Sequence, residues 1–226
     1  MFYSYNEIVR YARAYEMKVN VKKAGAIAVL DTGVYGHNDL YGRIIDFKDM
    51  ISDKVSLYDD NGHGTHICGI IGGNGKGSRG KVQGVCARCP IVVVKVLDKT
   101  GNGKVKNVLK GCDYVIKNKD RLNIRIVNIS MGAEVVCGDE EMERLLEGVE
   151  KLWECGLVVM VAGGNNGPGR MSITAPGNSK KVITVGACDD DIRSIVKNKY
   201  YSGRGPTIDC VVKPDIVTVG SNILLR

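Results

Sequence analysis

The sequence predicts an α/β fold, a doubly wound and mostly parallel sheet with helices on both faces. Three observations carry this. Short β-branched runs alternate with amphipathic segments along the chain, which is the order that builds parallel sheets. The runs are continuously apolar, as in strands covered on both sides. Glycines cluster where loops follow strands, at the sheet end that holds ligand sites in open α/β folds.

The elements follow in order. Residues 6–16 read as a surface helix. Strands are predicted at 24–30, 91–97, 124–129, 157–162 and 182–187, each a run rich in Val, Ile or Leu. A short helix is expected at 65–71. Residues 105–119 place apolar side chains at 105, 108, 109, 112, 115 and 116, which is helical spacing. Residues 139–154 repeat the pattern with Met142, Leu145, Leu146, Val149 and Leu152. No internal repeat, low-complexity tract or linker interrupts the series.

Bulk properties narrow the function. With 226 residues and 44% hydrophobic residues, the chain holds enough apolar material for a large core. The net charge is +7, but the basic residues are scattered and the aromatics, at 6%, do not interleave with them. That is a solvated face rather than a nucleic-acid surface, so no nucleic-acid partner is expected. No apolar run approaches the ~20 residues that span a bilayer, and residues 1–7 do not begin an export signal. The expectation is a cytoplasmic protein without a membrane partner. Its eight cysteines would then be reduced thiols. Cys86-Ala-Arg-Cys89 has the spacing of half a zinc site, but no second close pair accompanies it.

Two segments carry chemistry. Val29-Leu-Asp-Thr-Gly-Val34 ends the first strand on Asp31, and Asn61-Gly-His-Gly-Thr-His66 holds two of the three histidines. Alone, Asp31 would be a turn aspartate and His63 a capping or core histidine. Together they supply an acid to orient an imidazole and an imidazole to move a proton. His66, one helical turn beyond His63, should face elsewhere. A third segment, Gly163-Gly-Asn-Asn-Gly167, offers a side-chain amide at Asn165 for a developing oxyanion.

These motifs resemble those of the subtilases, the subtilisin-like serine proteases. Asp31-Thr-Gly33 is similar to the family's aspartate motif and His63-Gly-Thr-His66 to its histidine motif. Ile129-Ser-Met-Gly132 looks like the substrate-binding strand and Gly164-Asn-Asn-Gly167 like the oxyanion segment. Tyr201-Ser-Gly-Arg-Gly-Pro206 and Lys213-Pro-Asp-Ile216 resemble two further landmarks. The resemblance runs in order from about residue 24 to the end. It implies residues 1–23 as an N-terminal helical extension and 24–226 as a catalytic domain incomplete at its C-terminal end.

The resemblance also implies roles. Asp31 would orient the imidazole, His63 would be general base and then general acid, and Asn165 would bind the oxyanion. Gly101-Asn102-Gly103 and Ser130-Met131-Gly132 would flank an extended peptide substrate. Val105 and Val108 would line an apolar pocket. Ala162, Gly163 and Thr174 would wall the next one, narrowed by Thr174 where the family often has glycine. No cofactor is implied, and no metal: the family's calcium loop corresponds to residues 72–80, which contain no carboxylate and two cations. Asp39 alone is not a site. The family's serine motif lies downstream of Lys-Pro-Asp and is not among these residues; neither Ser202 nor Ser221 is assigned to it. The expectation is therefore a serine endopeptidase whose serine comes from a C-terminal segment, continuous or a companion fragment of the same gene product. The alternative is a pseudoprotease that binds peptides or regulates a partner without cleavage.

Overall fold

The computed structural model describes residues 25–132, 138–188, 201–220 and 223. The helix expected at residues 6–16, and the boundary after residue 23, lie outside them. The described residues divide into two compact units between Val127 and Asn128, with Ile223 grouped with the first.

The first unit holds strands β1 (Ala26–Asp31), β2 (Ile44–Asp49), β3 (Ile91–Lys95) and β4 (Ile124–Ile129), whose last two residues pass into the second unit. It also holds helices α1 (His63–Gly72) and α2 (Val105–Asn118). The strand order is β2-β3-β1-β4. β1 and β2 both pair parallel with β3. All five residues of β3 are buried, as its unbroken apolar character requires of a central strand. Val29, Val34, Leu40, Cys68, Ile91 and Val93 form one buried cluster, flanked by Ile27, Ile44, Phe47, Ile67 and Ile71. Each such aliphatic side chain contributes about 1.5–3 kcal/mol when fully buried. α2 turns Val108, Gly111, Cys112 and Val115 inward, the face its periodicity predicts.

The second unit holds α3 (Glu140–Glu154), β5 (Val158–Ala162), β6 (Ile183–Ala187) and β7 (Ile216–Thr218). β6 pairs parallel with both β5 and β7. α3 buries Met142, Leu145, Val149 and Leu152. Its start is capped by Asp139, whose carboxylate accepts from the amides of Glu141 and Met142, and Glu140, Glu141 and Glu143 favour the positive end of the helix. The architecture is the expected α/β class, with every registered strand pair parallel.

One expectation changes. Cys86 and Cys89 form a disulfide across a four-residue turn with Cα atoms 5.4 Å apart. The Cys89 amide donates to the Cys86 carbonyl, and that turn brings the two thiols into bonding range. Among the described residues, Cys68, Cys112, Cys155 and Cys210 are free thiols.

Candidate active site

Asp31 ends β1 and is fully buried. Its Oδ1 accepts from the Thr32 amide at 2.7 Å and lies 2.8 Å from His63 Nδ1. His63 opens α1, and its side chain is 47% exposed. One ring edge is thus held by a buried carboxylate while much of the ring is open to solvent. The Asp31 hydrogen bond raises the His63 pKa; burial opposes it, and the charges of Asp31 and Asp59 add to the rise.

The local fold brings acid and base together through α1. The helix starts from Gly62 in the left-handed region, with φ 104° and no side-chain cap of its own. Asp59 supplies the cap from four residues before His63. Its Oδ1 accepts from the amides of Asn61 and Gly62 and from the Thr32 hydroxyl, and its Oδ2 accepts from the amide and hydroxyl of Thr65. Burial alone would raise the Asp59 pKa, but these donors hold it at about 2. Thr32 Oγ1 in turn accepts from the Gly64 amide. Gly64 must be glycine, because a Cβ there would run into the Gly33 carbonyl. The close approach of α1 to the turn after β1 therefore sets the distance between His63 and Asp31.

Beneath this turn Lys95 is buried on β3, opposite Asp31 in register. Its ammonium donates to the Thr32 and Leu97 carbonyls and to Asp60. Asp49, also buried, accepts from the hydroxyls of Ser52 and Tyr58 and from the amides of Ile51 and Ser52. Burial would raise its pKa, and those donors bring it down to about 2; burial and Asp49 push the Tyr58 phenol up to about 12.

The other first-unit residues follow. Gly101, Asn102 and Gly103 are exposed. Their turn is tied to the loop before His63 by the Asn61 amide, which donates to the Lys99 carbonyl at 3.0 Å. Val105 is half-buried, and Val108 packs into the core at 3% exposure. His66 lines a cavity of about 230 Å³ together with His37, Asp39, Leu40 and Val82. Asp39 Oδ1 accepts from the Gly77 amide, so the loop's own backbone holds the carboxylate considered above for a cation. Among the described residues, no group of three or more His, Cys, Asp or Glu could hold a metal.

In the second unit, Asn165 is exposed at the tip of the loop after β5. Its base is strapped at several points: Gly163 N to Val185 O, Thr174 N to Gly163 O, Gly203 N to Gly164 O, and Gly167 N to Tyr201 O. Ala162 ends β5, Gly163 is buried, and Thr174 is buried beside it. Ser130, Met131 and Gly132 continue β4, with the Asn128 amide donating to Ser130 Oγ at 2.7 Å. Ser202 is buried and its Oγ accepts from the Ala187 amide. Asp59, Thr32, Lys95 and the Asp49–Tyr58 pair were not found by reading the sequence. Only Asp59 left a trace there, as an acidic residue just ahead of a helix start.

A buried acid bonded to a half-exposed histidine at a strand–helix junction is an arrangement that can orient an imidazole and let it move a proton. The sequence model described as the Subtilase family, peptidase S8, matches residues 22–225, and the chain belongs to that family. It is 42% identical over 209 residues to the serine protease AprX of Bacillus subtilis, covering 89% of this chain and 47% of that protein. It is 32% identical over 208 residues to the major intracellular serine protease of the same organism, covering 88% of this chain and 58% of that protein. The chain thus spans about half the length of such relatives. A cold-adapted subtilisin-like serine proteinase superposes with a TM-score of 0.68 at 30% identity, over 91% of this chain and 66% of that one. Sphericase does so with 0.72 at 25%, over 88% and 66%.

Proposed function

We propose that the chain is the acid- and base-bearing part of a serine endopeptidase that hydrolyses peptide bonds through an acyl-enzyme. The observation that carries this is the 2.8 Å contact between Asp31 Oδ1 and His63 Nδ1, in a family whose relatives are named serine proteases. His63 takes the proton of the attacking serine as general base and returns it to the leaving amine as general acid. Asp31 keeps the proton on Nδ1, so that Nε2 is the basic nitrogen. Asn165 donates its amide to the tetrahedral oxyanion; one such donor is worth about 3–4 kcal/mol in enzymes of this class. The residues at 101–103 and those at 130–132 each offer backbone to an extended substrate by strand addition.

The nucleophile belongs to a serine outside the described residues, on a C-terminal segment that is continuous with this chain or held to it as a fragment. The site is proposed to be cytoplasmic, a reading supported by relatives named as intracellular. Among the described residues, no helix is long and apolar enough to cross a membrane. The test is labelling of the full-length gene product with a fluorophosphonate that reacts with activated serines. Labelling that disappears in His63→Ala supports the proposal. Absence of labelling in a folded wild type refutes it in favour of a peptide-binding pseudoprotease, as does labelling on Ser202.

A further inference from the structure

The segment between α1 and β3 carries a cysteine pair that the site around His63 does not use. Cys86 and Cys89 are disulfide-bonded, with Cys86 half-buried and Cys89 6% exposed. The bond is therefore approached from the Cys86 side. Between them, the Ala87 carbonyl accepts from Nη1 of Arg43 at 3.4 Å, which sets a guanidinium against the turn. Nε of that guanidinium is buried and has no hydrogen-bond partner, so the cation keeps a donor in reserve there. The turn also closes the end of α1. The amides of Gly84, Val85 and Cys86 donate to the carbonyls of Gly73, Ile70 and Ile71, acceptors of the kind that a helix end leaves open. The two backbones touch: a Cβ at Gly84 would meet Gly69 O, Gly73 N and Gly72 N at 2.7–2.8 Å.

We propose that Cys86–Cys89 is a thiol–disulfide exchange site, reduced and reoxidised in the folded protein by a dithiol protein, and that reduction loosens the C-terminal end of α1. Neither the serine nor the protease reading is needed for this. A thiolate of the partner attacks Sγ of Cys86, a mixed disulfide forms, and the Cys89 sulfur leaves as a thiolate. The partner's second thiol then attacks the mixed bond and expels the Cys86 sulfur. Two electrons and two protons pass from the dithiol to the pair, and the partner departs as its own disulfide. A neighbouring cation lowers a thiol's pKa and makes it the better leaving group. Arg43 is that cation, and its reserve Nε–H is a donor for the thiolate. The four-residue turn selects the partner. On a mixed disulfide with a monothiol, Cys89 is held beside the bond and closes the ring again before a second molecule arrives. A reductant with its own second thiol competes with that closure. Once the pair is open, the turn loses its covalent clasp, and the amides over the end of α1 are held by hydrogen bonds alone.

The experiment holds the folded full-length protein in mixtures of reduced and oxidised dithiothreitol and traps thiols with a maleimide for peptide mass spectrometry. Cys86 and Cys89 are expected to open and close together and reversibly, while Cys68 and Cys112 stay unlabelled because the fold persists. Reduced glutathione at the same thiol concentration should open the pair about tenfold less. Arg43→Met should slow opening about tenfold, and Arg43→Lys, which keeps the charge, should restore the rate. Hydrogen exchange of the amides at 84–86 should rise on reduction, and in Cys89→Ser without any reductant. A pair that opens only when the protein unfolds is a permanent staple and overturns the proposal, as does a pair that stays reduced in every oxidised mixture. Equal opening by glutathione overturns the choice of a dithiol partner. Equal rates in the wild type and a folded Arg43→Met overturn the part given to Arg43. Unchanged hydrogen exchange at 84–86 on reduction overturns the link to α1. The glutathione and hydrogen-exchange comparisons are made on the wild type, so they decide the matter even where a variant fails to fold.

Discussion

Lys95 and Asp60 form an ion pair of 2.7 Å in which the lysine is 1% exposed and the aspartate 44%. The same ammonium holds the Thr32 and Leu97 carbonyls and faces the Tyr58 ring, 4.9 Å from its centroid. One buried cation thus joins the turn that carries Asp31 to the loop that leads into His63. Lys95→Met keeps the apolar stem but strands two buried carbonyls. It is expected to lower the unfolding free energy by about 2–4 kcal/mol, read from urea denaturation of the full-length protein. Lys95→Arg should not rescue it, because a planar fork does not fit where a compact ammonium meets three acceptors. An unchanged midpoint in Lys95→Met would show that the network is incidental.

The pH dependence of catalysis should follow His63. Its pKa is raised by the Asp31 hydrogen bond, against burial and with the help of the Asp31 and Asp59 charges. The base works unprotonated, so kcat/KM rises with pH through that raised value, and the acid limb should lie above pH 6.5. Stability runs the other way. The raised pKa favours the fold fully below the unfolded value, and that contribution is lost as pH rises through the folded one. Asp31→Asn is expected to move the acid limb to lower pH and to reduce the plateau by ~10⁴. A limb that stays in place would show that Asp31 does not set the histidine's basicity.

Acid stability should depend on Asp59 and Asp49. Both carboxyls are held at about 2 by donors that outweigh burial. Because the folded values are depressed, these groups stabilise the fold above their ordinary value of 3.8. The stabilisation disappears as pH falls through about 2. Asp59→Asn should cost about 1–3 kcal/mol at neutral pH and flatten the dependence of unfolding free energy between pH 4 and pH 2. The same slope in the variant and the wild type would contradict this account of the α1 cap.

Thiol chemistry should sort by burial. Cys210 is exposed, whereas Cys68 and Cys112 are buried. Burial pushes the Cys68 thiol far up and Cys112 to about 12, which removes the reactive thiolate. Iodoacetamide on the native protein, followed by peptide mass spectrometry, should label Cys210 early and Cys68 and Cys112 only after unfolding. Cys86 and Cys89 should react only after reduction. Equal rates at Cys68 and Cys210 would refute the ordering.

What the sequence made legible was whatever a local pattern encodes. β3 announced itself as an unbroken apolar run, and α2 and α3 by their period. β2 did not, because Ile44–Asp49 mixes Asp46, Lys48 and Asp49 into its apolar residues and is mostly half-buried. β7 did not, because its three residues are exposed. Asp31 and His63 were readable from motif order. Lys95 was not: it sits inside a strand that otherwise reads as core, and its role depends on lying opposite Asp31. Asp59 and Thr32 likewise act through a meeting of three segments that no window on the chain contains. The Cys86–Cys89 pair was misjudged because an argument from compartment says nothing about a turn.

The strapping of the Asn165 loop bears on the order in which a ribosome can complete the machinery. Asp31 and His63 are 32 positions apart, and the segment that joins them caps its own helix. By contrast, Gly164 is fastened by Gly203, 39 positions later. At ~5–20 residues per second, the emerging chain has Asp31 and His63 seconds before it has the residues that strap the Asn165 loop. On the functional reading above, a nascent chain would remain unarmed through that interval.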